Sequence, residues 1–317
     1  MDIPLFDLST WRAAEQQERV TLAARLDQAM RDSGFFLVSG HGIDASLTDR
    51  IRAEARTFFT LPGTVKDTYA TGVGGRGWIP CGREVNAFYG EVADADKPDL
   101  KETFTLGREL PGGDPAWFTP NVWPAEVPGL RAPVTAYADL TQALYRELLE
   151  VLAVALGLEA GYFVARTRQA PYTFNINRYP PRSVTGTPLE GQFRVGPHTD
   201  WGILTVLDRQ PGYGGLQVQA LDGTWADAPY VPGALTVNIA DLLARWTGDR
   251  WRSTRHRVLP PPDADVNEEL ISLIVFCESD MDRTVVPLAP PVGGGTDYPP
   301  VVAGDYYRER DAAASFD

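Results

Sequence analysis

Apolar positions at helical spacing predict a first helix, which begins at the capping residues Ser9 and Thr10 and ends at Gly34. Its apolar stripe consists of Leu22, Leu26, Ala29 and Met30. Residues 35–38, which follow Gly34 directly, are all apolar and predict a short buried strand. The chain therefore opens with a helix that leads into a strand.

Two further helices are indicated before residue 160. Asp44 is a capping candidate for a helix that ends at Pro62 and Gly63. A longer helix begins near Pro133 and ends at Gly157. The positions that it turns toward a core are Tyr137, Leu140, Leu144, Leu148, Leu152 and Ala155. Between these helices, from about residue 66 to 130, no apolar period is sustained, and we predict irregular structure there.

The pattern changes after residue 160, where short β-type segments recur with turn residues between them. They cover residues 172–179, 192–195, 203–207, 216–218, 234–239, 254–259 and 270–277. Strands spaced in this way, without long helices between them, are typical of an antiparallel barrel or jelly roll. We predict an α+β fold with a mainly β core, as a single domain over residues 1–317. Residues 1–160 would be mainly helical and residues 161–317 would form the β core.

Charge and composition exclude some partners. The 317 residues include 42 acidic and 29 basic side chains, which gives a formal net charge of −13 at pH 7. No Lys/Arg-rich block is present, although nucleic acid or an anionic membrane surface would call for one. We therefore expect neither nucleic acid nor a membrane as a partner.

The sequence also predicts a cytoplasmic location. No apolar run approaches the roughly 20 residues of a membrane-spanning helix. Residues 1–4 lead into acidic and polar residues and do not begin a signal peptide. The only cysteines, Cys81 and Cys277, are expected to be buried free thiols in a reducing compartment.

Histidine is scarce, and the positions of His41, His198 and His256 are informative. His198 and Asp200 are two positions apart in a β-type segment, so both side chains face one side of a strand. His256 lies in another predicted strand. Two imidazoles and one carboxylate that leave coordination positions open suit Fe(II) and oxygen chemistry. The short motif alone is a weak signal, and zinc is an alternative metal. His41 has no second ligand beside it and is expected to be structural.

Longer motifs surround these residues. In chain order they are G-F-F-x-V-x-x-H-G-I at 34–43, R-G-W-I-P at 76–80, D-L-K-E at 99–102, N-x-Y-P-P at 177–181, H-T-D-x-x-x-L-T at 198–205 and S-T-R-H-R-V at 253–258. The set spans nearly the whole chain and resembles the Fe(II)- and 2-oxoglutarate-dependent oxygenases of the isopenicillin N synthase-like family. In the second motif, this chain has Trp78 where that family usually has tyrosine.

The resemblance implies a double-stranded β-helix, or jelly roll, with N-terminal and flanking helices. It implies that the iron ligands are His198, Asp200 and His256. It implies that 2-oxoglutarate is bound by Tyr179, Asn177 and Ser272, with Ser272 as the serine of the family's R-x-S motif.

One departure from the family concerns the anchor of the cosubstrate. The R-x-S motif should have arginine at position 270, but this chain has Leu270. A leucine cannot neutralise a carboxylate, and an unpaired buried carboxylate costs several kcal/mol. Arg194 is a candidate replacement because it lies four residues before His198. A solvent-exposed arginine at a strand end is an equal interpretation of Arg194. A different binding mode, or no 2-oxoglutarate, also stays open.

The expected function is a dioxygenase that uses Fe(II), 2-oxoglutarate and O₂ to hydroxylate, desaturate or cyclise a small specialised metabolite, as in antibiotic biosynthesis. One alternative is a 2-oxoglutarate-independent iron oxidase of the isopenicillin N synthase or aminocyclopropane-carboxylate oxidase type. Another is a metal-free or zinc-bound binding module. Substrate choice is expected in three loops, at residues 72–77, at 84–99 and near 306–308. An apolar wall around the iron is expected from Leu204, Leu216, Val237 and Phe276.

Overall fold

A computed structural model describes residues 1–85 and 94–314, without the side chains of 312–314. The strands described, in chain order, are β1 Leu5–Asp7, β2 Phe35–Ser39, β3 Gly77–Ile79, β4 Glu102–Gly107, β5 Tyr172–Tyr179, β6 Val195–His198, β7 Leu204–Asp208, β8 Leu216–Gln219, β9 Trp225–Asp227, β10 Leu235–Ile239, β11 His256–Val258, β12 Leu270–Cys277, β13 Thr284–Val285 and β14 Val301–Val302. The helices described are α1 Leu8–Ala13, α2 Gln16–Asp32, α3 Ala45–Phe59, α4 Gly63–Lys66, α5 Arg131–Ala155, α6 Gly161–Val164, α7 Arg182–Thr185, α8 Asp241–Trp246 and α9 Ala303–Ala314.

Two sheets form the β core. The larger has the strand order β1-β2-β10-β7-β12-β5-β4-β3, and the smaller has the order β6-β11-β8-β9. From β5 to β12 the chain passes repeatedly between the two sheets, as expected for a jelly roll. The predicted α+β jelly-roll fold with flanking helices is confirmed. Strands from the first half extend the larger sheet at both edges, with β1 and β2 at one edge and β3 and β4 at the other.

The predicted strand bounds are confirmed where the strands are long. Strands β5 and β12 cover the predicted residues 172–179 and 270–277, and they pair antiparallel along their whole length. The strand predicted at 192–195 is wrong, because β6 runs over Val195–His198. This shift puts His198 inside a strand, where its position is set by pairing with β11.

The first predicted helix is two helices. Asp7, rather than Ser9 or Thr10, caps α1, because its carboxylate accepts a hydrogen bond from the Ser9 amide at 3.0 Å. Ala14 is extended and separates α1 from α2. The capping role of Asp44 is confirmed by a 2.8 Å hydrogen bond from the Ser46 amide.

The prediction of irregular structure from 66 to 130 is wrong at β3 and β4. Every residue of β4 is buried, and the alternation of polar and apolar residues over 103–106 is too short to stand out from the irregular sequence around it. Two burial predictions also fail. Leu140 on α5 is 42% exposed, and Cys81, two residues after β3, is exposed. Cys277 is buried as expected, and both cysteines are free.

Helices α2, α3 and α5 cover the larger sheet with an aromatic core. Phe58 on α3 packs edge-on against Phe104 on β4, with ring centroids 4.7 Å apart. Tyr137 on α5 stacks on Phe174 of β5 at 5.4 Å. These contacts hold strands β4 and β5 against helices α3 and α5. No helix in the described ranges has both the length and the apolar character needed to cross a membrane.

Three sequence motifs meet in one buried cluster of ionised side chains. Glu102 on β4 accepts hydrogen bonds from Lys66 at 3.0 Å, Trp78 at 2.8 Å and Arg178 at 2.7 Å. Arg178 also forms an ion pair with Glu269. This cluster ties β3, β4 and β5 to the start of β12. It also gives the R-G-W-I-P, D-L-K-E and N-x-Y-P-P motifs a shared structural role.

Candidate metal centre

His198, Asp200 and His256 come together at one end of the smaller sheet. His198 is the last residue of β6 and His256 is the first of β11, and the two are direct antiparallel partners. The possible ligand atoms of the three residues lie within 4.8 Å of one another. Nε2 of each histidine is 3.7 Å from Oδ1 of Asp200. The sequence does not reveal that these two strands pair. Their pairing brings His256 next to Asp200, although 56 residues separate the two in the chain.

Hydrogen bonds on the far side of each ring prepare the histidines for metal binding. Nδ1 of His198 lies 2.8 Å from the Gly196 carbonyl, and Nδ1 of His256 lies 3.1 Å from the Thr254 carbonyl. Because a carbonyl only accepts, each Nδ1 carries the proton and each Nε2 keeps a free lone pair. Burial, and then the neighbouring His256, lower the pKa of His198 well below its ordinary value of 6.5. The donor set therefore fits a divalent metal ion.

Two residues to which the sequence analysis gave no role orient the carboxylate. Asn238 on β10 donates to Oδ2 of Asp200 at 2.7 Å, and the Thr205 hydroxyl donates to the same oxygen. Burial opposes ionisation of Asp200, but the two imidazoles and these hydrogen bonds hold its pKa below the ordinary value. Asn238 could have been noticed as a polar residue between Val237 and Ile239 in an apolar strand.

The residues expected to bind 2-oxoglutarate lie beside this centre. Tyr179 ends β5 and is 4% exposed, and Asn177 and Ser272 lie against its hydroxyl. Asn177 accepts a hydrogen bond from the Thr103 hydroxyl at 3.0 Å. Burial raises the pKa of Tyr179, so its hydroxyl is a hydrogen-bond donor at neutral pH.

Arg194 and Leu270 flank Tyr179. The Arg194 guanidinium is 5.4 Å from the centre of the Tyr179 ring and is 2% exposed. It forms a 2.8 Å ion pair with Glu268, so its charge is already balanced. Leu270 is 7% exposed and packs with Tyr179 and Val195. The position where the family has arginine is therefore an apolar contact in this protein.

A large cavity opens at the three ligand residues. Its volume is about 1350 Å³, and Tyr179 and Asn177 contribute to its wall. Residues from the loops at 72–77 and 84–99 and from the region near 306–308 also line it. Of these loops, residues 86–93 fall outside the described part of the chain. From the predicted apolar wall, Leu216 and Phe276 line the cavity, whereas Leu204 and Val237 lie in the core behind it.

Glu278 is an unusual member of the cavity wall. It directly follows β12, is 4% exposed, and has no basic side chain within ion-pair distance among the described residues. Burial, and then the charge of Asp200, raise its pKa to about 8. The acid therefore costs stability as the pH rises from its ordinary value of 4.5 toward 8, because the unfolded chain releases the proton more readily.

Glu278→Gln should accordingly stabilise the metal-free protein. In protein treated with EDTA, we expect a gain of about 1–3 kcal/mol at pH 8, which shrinks toward pH 5. Urea unfolding followed across this pH range measures it. The exposed Glu159→Gln should leave the pH dependence of stability as in the parent protein. A loss of stability at pH 8 in Glu278→Gln would contradict the expected cost.

Comparison with known proteins agrees with this geometry. Residues 3–126 match the family model described as the N-terminal region of non-haem dioxygenases in morphine synthesis, and residues 171–279 match the 2OG-Fe(II) oxygenase superfamily. The chain is 41% identical to validamycin A dioxygenase of Streptomyces hygroscopicus subsp. limoneus, over 98% of this chain and 86% of the relative. It is 33% identical to the 2-oxoglutarate-dependent dioxygenase thnC of Trichoderma harzianum, over 82% of this chain and 80% of the relative.

Solved structures give the same result. A Neurospora crassa protein in complex with alpha-KG and thymine is 28% identical, with a TM-score of 0.84 over 99% of this chain and 97% of that one. A 2OG-Fe(II) oxygenase family protein from Caulobacter crescentus is 29% identical, with a TM-score of 0.83 over 98% of both chains. The names of the relatives favour the 2-oxoglutarate-dependent function over the alternative iron oxidase. The chain therefore belongs to the 2OG-Fe(II) oxygenase superfamily and is an Fe(II)- and 2-oxoglutarate-dependent dioxygenase.

Proposed function

We propose that His198, Asp200 and His256 hold the catalytic iron and that the cavity beside them binds a small specialised metabolite for oxidation. The observation that carries this proposal is the convergence of two imidazole lone pairs and one carboxylate, within 4.8 Å, at the wall of a cavity of about 1350 Å³. Three protein ligands leave coordination positions open for other molecules. We also propose that the whole chain acts as one oxygenase domain.

Bound iron and 2-oxoglutarate would supply the O₂ activation, with 2-oxoglutarate converted to succinate and CO₂ as the substrate is oxidised. The protein's part is to bind and orient. 2-Oxoglutarate would be bound by the hydroxyl and amide groups of Tyr179, Asn177 and Ser272. Arg194, which is paired with Glu268, would pack against the Tyr179 ring. The apolar side chains of Leu216 and Phe276 would keep bulk water from the reacting bond.

The substrate is proposed to be a small specialised metabolite, as in antibiotic biosynthesis. One relative is named for its action on validamycin A, and this name supports validamycin A as the first compound to test. Nucleic acid is an unsuitable partner for a chain with a net charge of −13. The free thiols, including the exposed Cys81, support a reducing, cytoplasmic environment.

The direct test is turnover by the iron-loaded protein. With Fe(II), 2-oxoglutarate, O₂ and validamycin A, we expect succinate to form in step with loss of the substrate. EDTA should stop both. Oxygen uptake that depends on substrate but yields no succinate would contradict 2-oxoglutarate as cosubstrate of this reaction. Succinate release without any change in validamycin A would direct the search to another metabolite.

Asn238→Leu should weaken iron binding without unfolding the protein. The substitution removes the 2.7 Å hydrogen bond that orients Asp200, and losing such a partner of a metal ligand typically weakens binding 10–100-fold. Anaerobic titration with Fe(II) measures the affinity. Thr236→Val on the same strand is a matched control, because no hydrogen bond from Thr236 to Asp200 is present in the described structure. An unchanged Fe(II) affinity in Asn238→Leu would show that Asp200 needs no such orientation.

A further inference from the structure

The distal carboxylate of 2-oxoglutarate needs a cation that Leu270 does not provide. Leu270 is 7% exposed and packs on Tyr179, so it fills the place of the family's arginine with an apolar side chain. An unpaired carboxylate at such a buried position would be strongly disfavoured. The replacement must be another basic side chain close to Tyr179 and Ser272.

Two nearby cations already have carboxylate partners. Lys101 is buried and forms an ion pair with Glu84. Arg194 is buried and forms an ion pair with Glu268 at 2.8 Å. Recruiting either of them to a ligand would require breaking a buried ion pair, which typically carries a large cost.

Arg209 is in a different electrostatic state. Its guanidinium donates to the carbonyls of Pro229 at 2.9 Å and Ala228 at 3.3 Å and lies 5.5 Å from the Tyr230 ring centre. Among the described residues, no carboxylate lies within ion-pair distance of Arg209. Burial lowers its pKa, which means that the surroundings do not compensate its charge.

The strand register places Arg209 beside Ser272. Strands β7 and β12 pair Asp208 with Leu273 and Leu207 with Ile274. Continuing this register by one residue sets Arg209 opposite Ser272. Direct cross-strand partners point to the same face of a sheet, so both side chains point into the barrel interior.

A small recess beside these residues adjoins the large cavity. It has a volume of about 30 Å³ and is lined by Arg209, Ser272, Leu270 and Tyr179 among others. Such a space accommodates one or two water-sized groups. Tyr179, Leu207, Leu216 and Val258 line both the recess and the large cavity. The recess that Arg209 and Ser272 line therefore adjoins the part of the large cavity that Tyr179 lines.

We propose that Arg209 binds the distal carboxylate of 2-oxoglutarate, together with Ser272, and so replaces the arginine that the family has at position 270. The assignment rests on the proposed iron site. In this assignment the cation lies directly after strand β7, next to strand β12, instead of at position 270. Ser272 keeps the role of the serine in the family's motif.

The test compares two 2-oxo acids on the iron-loaded protein without O₂. 2-Oxoglutarate and 2-oxobutyrate share the head group that binds iron, but 2-oxobutyrate has no distal charge. Titration of the visible metal-to-ligand charge-transfer band gives the Kd of each acid. In Arg209→Met, we expect 2-oxoglutarate to bind about 10–100-fold more weakly, as expected for loss of hydrogen bonds to a charged group, whereas the Kd of 2-oxobutyrate stays unchanged.

Two further variants separate binding from folding. Arg209→Lys keeps the charge and should recover part of the preference for 2-oxoglutarate, even if Arg209→Met is poorly folded. Arg194→Met should keep the preference of the parent protein for 2-oxoglutarate. An equal loss of affinity for both acids in Arg209→Met and Arg209→Lys, or an unchanged Kd for 2-oxoglutarate, would overturn the assignment. Absence of the band in the parent protein with either acid would instead contradict the iron site, and the assignment would fail with it.

Discussion

His256→Ala should abolish both iron binding and turnover. The substitution removes one of the three converging ligand atoms and leaves Asp200 with a single imidazole 3.7 Å away. Because loss of a hydrogen-bonding partner of a ligand alone weakens metal binding 10–100-fold, loss of the ligand itself should exceed about a hundredfold. Anaerobic Fe(II) titration and succinate formation under O₂ measure the two effects.

His41→Ala is the matched control, because His41 is the only other histidine in the chain. Its Nε2 contacts the Gly233 carbonyl at 2.9 Å, and its Nδ1 accepts from the Ile43 amide at 3.1 Å. These contacts tie the segment after β2 to the loop before β10, so His41→Ala should cost some stability but leave the Fe(II) affinity unchanged. Full iron affinity in His256→Ala, or its loss in His41→Ala, would contradict the proposed ligand set.

Glu102→Ala should destabilise the fold by about 3–5 kcal/mol, the typical cost of breaking a buried ion pair from one side. It leaves Lys66 and the Trp78 indole without the acceptor that they share, and it removes one of the two carboxylates bound by Arg178. The melting temperature should fall by roughly 5–15 °C. Thermal and urea unfolding, followed by circular dichroism, measure the loss.

Two comparisons make this result specific. Glu102→Gln keeps an oxygen acceptor and should lose less stability than Glu102→Ala. Asp263→Ala removes the partner of Arg182 from a pair in which the Asp263 side chain is 94% exposed, and it should leave unfolding almost unchanged. A similar small effect for Glu102→Ala and Asp263→Ala would show that the buried cluster does not hold β3, β4 and β5 together.

Local patterns in the sequence were sufficient for the long strands and for the ligand residues. Strands β5 and β12 were predicted at their observed bounds, since each has a run of β-type residues between clear turn signals. The H-x-D motif and the surrounding motifs indicated which three residues converge. Strand β4 was not predicted because its polar–apolar alternation covers only residues 103–106, and its burial depends on the distant strands β3 and β5 that pair with it.

The sequence by itself determined the fold class, the family and the three converging side chains, because these follow from short motifs and from the spacing of apolar residues. Only the tertiary structure decided that Asn238 orients Asp200, that Arg194 is neutralised by Glu268 and that Arg209 and Ser272 line one recess. The physical reason is that charge balance and cross-strand proximity depend on which distant segments pair and in which register. Neither property can be predicted from the residues adjacent to a given position in the sequence.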